Sequence, residues 1–374
     1  MNDKFVKISD RALLIFINQA LRKGNRPSPV TKEEIEKIEE MRLEIRYIED
    51  MTDIKLLTNL KSLNISSGFL TKDCISAISQ IPKLKSLDID GCIISLDALK
   101  ELKDLEILVI KNTIVKDMSF LKELKKIATL SIISAGLSDL TQLNNIDLPN
   151  LSILNLSDNN IKDITPLSNF TNLVMLTISK NKIKEIYPLS EMIRLNILDI
   201  NENCIEDITP LRNLVALRML SANKNNIKDI SILGHRLELS MLSVNNNNIS
   251  DIYSLRNLHE LNILDLKNNN IDDISSIKHL KKLNFLTLSE NKIADISYIT
   301  ELNSLKKLDL SNQKIIVNNT DMNGINTFTK HTHSLEDVLI RGDKYIYPFN
   351  KVIDIHGCKG EYSGEITINN GANG

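Results

Sequence analysis

Leu151-Ser152-Ile153-Leu154-Asn155-Leu156-Ser157-Asp158-Asn159-Asn160-Ile161-Lys162-Asp163-Ile164-Thr165-Pro166-Leu167 is the stretch from which the architecture can be read. Leu154 and Leu156 alternate with polar or outward positions, the period-2 mark of a short strand with one buried face. Ile161, Ile164 and Leu167 then recur every three residues, and Thr165-Pro166 supplies a cap followed by proline at the first helical position, which suits a short 3₁₀ turn. Between the two, Asn159 is expected to place its amide on turn backbone groups that would otherwise be buried unpaired.

The pattern L-x-x-L-x-L-x-x-N-x-I-x-x-I recurs twelve times, starting at Leu60, Leu84, Leu105, Ile127, Leu151, Leu173, Leu195, Leu217, Leu239, Leu261, Leu283 and Leu305. The last eight starts are each 22 residues apart, whereas the first four gaps are 24, 21, 22 and 24. A period held over that length means units that bury their apolar faces against their neighbours. These are leucine-rich repeats. The expected fold is an α/β solenoid, a horseshoe with a parallel β-sheet on the concave face and 3₁₀ or irregular turns on the convex face.

Asn159, Asn181, Asn203, Asn225, Asn247, Asn269 and Asn291 form one ladder, but Gly68, Cys92, Thr113 and Ala135 stand in its earlier places, so the first four coils are expected to be looser. The acidic column Asp163, Glu185, Asp207, Asp229, Asp251, Asp273 and Asp295 looks like a metal stripe. Each member sits just ahead of a short helical turn, where a carboxylate opens the turn, and that is the preferred reading. Gly234-His235-Arg236 puts an arginine where Phe170, Leu214, Leu258 and Leu280 stand in other coils. A bulged loop is expected there, with an Arg236 reaching out to bind on the convex side as the alternative.

Residues 1–56 read as a helical amino-terminal cap. Ser9-Asp10 precedes an amphipathic stretch with Leu13, Ile17, Ala20 and Leu21 on one face, Thr31-Lys32-Glu33-Glu34 is a capping box opening a second helix, and a half-repeat at Ile45 to Leu57 closes the cap. Residues 57–315 are the solenoid of about twelve repeats. Residues 316–374 shift to Asn, Thr, Gly and Tyr, and Lys344–Tyr347, Lys351–Ile355 and Gly364–Ile368 alternate like strands, which predicts a small β-rich carboxy-terminal cap.

With 46 basic and 48 acidic residues the chain has a formal net charge of −2, which disfavours generic nucleic-acid binding. Aromatics make up only 4% and hydrophobics 42%, so the core is built from Leu and Ile. Cys74, Cys92, Cys204 and Cys358 lie far apart and read as reduced thiols. No apolar run is long enough to cross a bilayer, and Ala12–Ile17 runs into Asn18 and Gln19 rather than a cleavage site, so a cytoplasmic location is expected, with export as the alternative. His331-Thr332-His333 lacks a third metal ligand, and Arg341-Gly342-Asp343 reads as a turn between strands. No catalytic constellation, cofactor loop or metal site is expected.

The residue before the second leucine of each strand points away from the core. In seven consecutive coils it is apolar: Ile153, Met175, Ile197, Met219, Met241, Ile263 and Phe285. The adjacent columns hold hydroxyls, amides and a few charges, as an interface core has a polar rim. The expected function is a non-catalytic scaffold, a monomer, binding a protein or peptide partner on this face. The alternative is a cytoplasmic subunit that positions or inhibits an enzyme.

With cap, repeat and tail in view, the sequence resembles the bacterial internalin-like proteins, whose repeat reads N-x-I-x-D-I-x-P-L, as Asn159 to Leu167 does here. The match covers roughly residues 57 to 315, and Val30-Thr31 is similar to the lead into the family's cap. Leu308 to Ile315 looks like the passage into the family's immunoglobulin-like module, for which the residues that follow are few. The resemblance implies a protein-binding scaffold using the concave sheet.

Overall fold

The structure, a computed structural model, describes residues 5–94 and 96–310, together with the backbone of 337–340 and 351–353. The chain divides into two units, Met1–Lys182 and Ile183–Gly374.

The first unit opens with β1 (Phe5–Val6), antiparallel to β2 (Val30–Thr31), and α1 (Arg11–Ala20) between them. Asp10 starts the helix. Its Oδ1 accepts the Leu13 N–H at 2.7 Å, while its Oδ2 accepts the N–H groups of Glu49 and Asp50 at 2.8 and 3.1 Å, tying the helix start to a distant loop. The capping box is present: Glu34 N–H donates to Thr31 Oγ1 at 3.3 Å and Thr31 N–H to the Glu34 carboxylate at 2.9 Å. The helix it opens, α2 (Lys32–Ile35), is nevertheless one turn long, because β3 (Glu40–Glu44) follows almost at once. The amino-terminal region is therefore only partly helical. Moreover β3 pairs in parallel with β4 (Ser62–Leu70), so the sheet begins one coil before the first leucine motif. Its outward residues are Glu40, Arg42 and Glu44 and its inward ones Met41 and Leu43, and Met41 at a leucine position with Arg46 at the ladder position hides the strand from a pattern written in leucines.

The sheet of this unit continues through β5 (Ser86–Ile94), β6 (Ile107–Lys111), β7 (Thr129–Ile133), β8 (Ile153–Asn155) and β9 (Met175–Thr177), each parallel to the last. Return paths are 3₁₀ turns, except after β4, where Thr71 caps α3 (Lys72–Ile78). In the second unit β10 (Ile197–Asp199), β11 (Met219–Ser221), β12 (Met241–Ser243), β13 (Ile263–Asp265), β14 (Phe285–Thr287) and β15 (Lys307–Asp309) run parallel in single register. Then β16 (Asp337–Ile340) adds in parallel and β17 (Lys351–Ile353) turns antiparallel. This last strand falls within the expected Lys351–Ile355. The other two expected strands, His331, His333, Arg341-Gly342-Asp343 and Cys358 lie outside the described residues.

The core is a stack of aliphatic columns. Leu154, Leu156, Ile161, Ile164 and Leu167 are at most 1% exposed, and each such burial contributes about 2 kcal/mol. The Asn ladder closes the turn as expected. Asn159 Nδ2 lies 2.8–3.0 Å from the carbonyls of Ile132, Leu156 and Ser157, and its Oδ1 accepts the N–H groups of Ala135 and Leu137 at 3.0 Å. The residue before each ladder Asn is left-handed, with φ of 50–58° at Asp158, Lys180, Glu202, Lys224, Asn246, Asn268 and Glu290. Asn112 and Ser134, ahead of Thr113 and Ala135, share this geometry at 50° and 51°, so the amide steadies a turn that the coil adopts at a cost rather than creating it. In the first two coils that lack the ladder Asn, β4 and β5 extend to nine residues and go on pairing through Gly68↔Cys92 to Leu70↔Ile94. Gly68 has φ +138°, and a Cβ there would stand 2.8 Å from Ile45 Cγ2 and 2.9 Å from Arg46 N, so only glycine fits.

Arg236 corrects the sequence expectation on both alternatives. Its φ and ψ of −93° and 64° match −85° and 63° at Leu258, so the loop does not bulge. Its side chain is buried rather than reaching outward.

Candidate protein-binding face

The sequence-derived column is assembled in register within each unit. In the first unit Ile153 pairs with Met175; in the second, Ile197, Met219, Met241, Ile263, Phe285 and Lys307 stand in line across β10 to β15. Single-residue alternation of the strand sends Leu198, Leu220, Leu242, Leu264 and Leu286 inward and their predecessors outward. The outward residues are half-buried by one another, with Met219 and Phe285 each 37% exposed. Lys307 Nζ lies 5.7 Å from the Phe285 ring centre, so a cation closes one end of the column.

The flanking polar columns are not free rims. Ser221 Oγ donates to Asn201 Oδ1 at 2.9 Å, and the Asn223 N–H reaches the same oxygen at 2.6 Å. One coil on, Ser243 Oγ lies 2.8 Å from Asn223 Oδ1, which also accepts the Asn245 N–H at 2.7 Å. Asp265 takes up Ser243 and Asn245 from the other side. From Asn201 to Asp265 the hydroxyls and amides are therefore spent coil to coil, which fixes the strand surface there and leaves the aliphatic column as the part whose contacts are incomplete.

The aspartates of the acidic column, and Asp139 one coil ahead of it, serve turns. Asp163 Oδ1 accepts the Thr165 N–H at 2.8 Å, and Asp139, Asp207, Asp229, Asp251, Asp273 and Asp295 make the equivalent bond at 2.7–2.8 Å. Among the described residues no group of three His, Cys, Asp or Glu side chains could hold a metal, and no helix is long and apolar enough to cross a membrane.

Two further apolar columns escaped the sequence reading. Tyr47, Phe69, Ile93 and Ile114 are 56–72% exposed in the first unit, Phe69 and Ile93 paired near the ends of β4 and β5, and Ile193, Val215 and Leu237 are 52–65% exposed on turns of the second. Both are visible when every repeat position, not only the inward ones, is read down the coils.

A family model described as leucine-rich repeats in two copies matches residues 149–191 and 171–213. Sequence comparison with curated proteins finds no match. Among solved structures, the internalin InlF of Listeria monocytogenes is 30% identical, with 88% of this chain and 94% of that one covered and a TM-score of 0.73. The chain belongs to the internalin-like leucine-rich repeat proteins. A leucine-rich repeat protein of Leptospira interrogans, 20% identical, shares the fold at a TM-score of 0.71 over 83% of this chain and 80% of that one. So does a plant peptide hormone receptor solved with its peptide, 19% identical with a TM-score of 0.61 over 83% of this chain and 53% of that one. Leucine-rich repeat proteins are generally interaction scaffolds, and such domains typically bind protein partners, with which the fold of this chain is consistent.

Proposed function

We propose that the protein is a non-catalytic scaffold that holds a protein partner against the outward column of its parallel sheet, centred on Met219 and Met241 in the second unit. The observation that carries this reading is the contrast between columns: the polar neighbours from Asn201 to Asp265 satisfy one another, while Ile197, Met219, Met241, Ile263 and Phe285 keep apolar surface in contact with water. Covering that surface removes apolar area without breaking any bond of the ladder. Two unbranched methionines at its centre adapt to the shape of an incoming side chain.

The test replaces both Met219 and Met241 by Glu. Neither contributes an inward leucine, so the thermal melt is expected to stay within a few degrees of the parent. A partner held by the parent is expected to be lost, since desolvating either carboxylate costs several kcal/mol. The control is Asn226→Glu with Asn248→Glu, which puts the same two charges on exposed turns of the same coils. Equal capture by parent and Met219/Met241 variant, or equal loss in the control, counts against the column.

A further inference from the structure

Ile193, Val215 and Leu237 each precede by four residues a member of the register Ile197↔Met219↔Met241, so they occupy one place in three consecutive coils. They are 52%, 65% and 57% exposed. Three such aliphatic side chains leave on the order of 300 Å², the size at which an apolar patch on a monomer is commonly functional.

Next to Leu237 in the chain stands Arg236, in a column where Phe170, Met192, Leu214, Leu258, Leu280 and Leu302 are all buried. Arg236 is 8% exposed, and its Nε and Nη1 are buried with no acceptor among the described residues. The carboxylate nearest in sequence, Glu238, is engaged by Arg218 at 3.3 Å. Desolvation accordingly draws the Arg236 pKa down. A guanidinium that has left water without gaining an acceptor destabilises the fold, and leucine at this place would remove the cost. The arginine is explained if its acceptor arrives from outside.

We propose that Arg236 with Ile193, Val215 and Leu237 forms a second interaction surface, separate from the strand column, for a polypeptide segment that sets a carboxylate among aliphatic side chains. The charge follows from the unpaired cation, whose planar fork matches a carboxylate. The aliphatic setting follows from the three exposed side chains, which on contact exclude water and strengthen the ion pair.

The test uses the full chain and a displayed library of random peptides, with both internal positions and free carboxy termini varied. Peptides selected on the parent are expected to carry Asp, Glu or a terminal carboxylate within two residues of Leu, Ile, Val or Phe. Their affinity is expected to fall about tenfold or more on Arg236→Leu, and on Val215→Ser with Leu237→Ser, while Met219→Glu with Met241→Glu leaves it unchanged. Thermal melting of Arg236→Leu is expected to match or exceed the parent. Selected peptides without a carboxylate, or equal affinity for Arg236→Leu, overturn the proposal. So does a lower melting temperature of that variant, which would reveal an internal acceptor. Self-association of the parent that Arg236→Leu abolishes would assign the surface to a second copy and equally overturn it.

Discussion

Asn225 shows why one amide per coil can hold a turn that the backbone alone disfavours. Its Oδ1 accepts the Ile205 N–H at 3.0 Å, and its Nδ2 lies 3.0–3.2 Å from the carbonyls of Ile200, Ala222 and Asn223, beside a left-handed Lys224. Alanine leaves these buried groups without partners, so Asn225→Ala is expected to lower unfolding free energy by about 2–3 kcal/mol in urea titrations. Cys92 occupies the same place in its coil with much weaker bonds, Sγ to the Ile65 and Asp90 carbonyls at 3.8 and 3.6 Å. Burial, aided by the Asp90 charge, pushes its thiol up to about 11, so it stays protonated and acts as a small apolar filler. Cys92→Ala is therefore expected to cost about 1 kcal/mol, clearly less than the Asn change. Equal losses at the two positions would show that the ladder bonds are replaced by water.

The element that repeats most faithfully is the 3₁₀ turn and the carboxylate that opens it. The Thr165 hydroxyl and N–H hold the Asp163 carboxyl below the ordinary range, and the N–H and hydroxyl of Thr141 and Ser231 do the same for Asp139 and Asp229. A carboxyl whose folded pKa lies below its unfolded value contributes stability above that unfolded value, near 3.8, and loses it as pH falls through the folded one. Stability is thus expected to decline from about pH 4 downward. Replacing all three aspartates by Asn keeps an acceptor oxygen and is expected to flatten that decline, with a small change at pH 7, as read by urea midpoints across pH. An unchanged acid slope would place the titration elsewhere. Strand, turn and ladder are legible in Leu151 to Leu167 because the inward columns are held to a narrow set of apolar residues and the ladder to Asn. Outward positions carry no such constraint. The strand β3 escapes the motif because Met41 stands at a leucine position and Arg46 at the ladder position, and the exposed columns at Tyr47–Ile114 and Ile193–Leu237 emerge only when the outward positions are also read down the coils. The apolar column of the candidate face was visible only because its seven residues are uniformly large. Arg236 was misread because an arginine in a leucine column suggested a displaced loop, whereas the backbone geometry is that of its neighbours and the side chain bears the cost.

At the scale of the molecule, stability in a repeat array is a sum of local terms and contacts between neighbours, so the two ends decide whether the array survives alone. The amino-terminal sheet edge is β3, which carries unpaired backbone groups on one side. Helix α1 packs against that strand. Asp10 fastens the helix to Glu49 and Asp50, and the fully buried Asn18 fastens it again, its Nδ2 donating to the carbonyls of Leu14 and Ser28 at 2.8 and 2.9 Å. Deleting residues 1–38 takes away Leu13, Ile17, Val30 and Ile35, all at most 2% exposed, and opens Met41 and Leu43 to solvent along an unpaired edge. The truncated chain is expected to associate through β3 or precipitate, with a lower melting temperature, when followed by light scattering and calorimetry. A milder variant separates covering from folding: Asp10→Ala removes the cap of α1 and its tie to the Glu49 loop, at a cost of about 1–2 kcal/mol, while leaving the apolar cover in place. It is expected to melt earlier yet stay monomeric. A truncated chain that remains monomeric with the parent's melting temperature would mean that β3 is protected by its own charged outward face, Glu40, Arg42 and Glu44, and that the helix serves some other end.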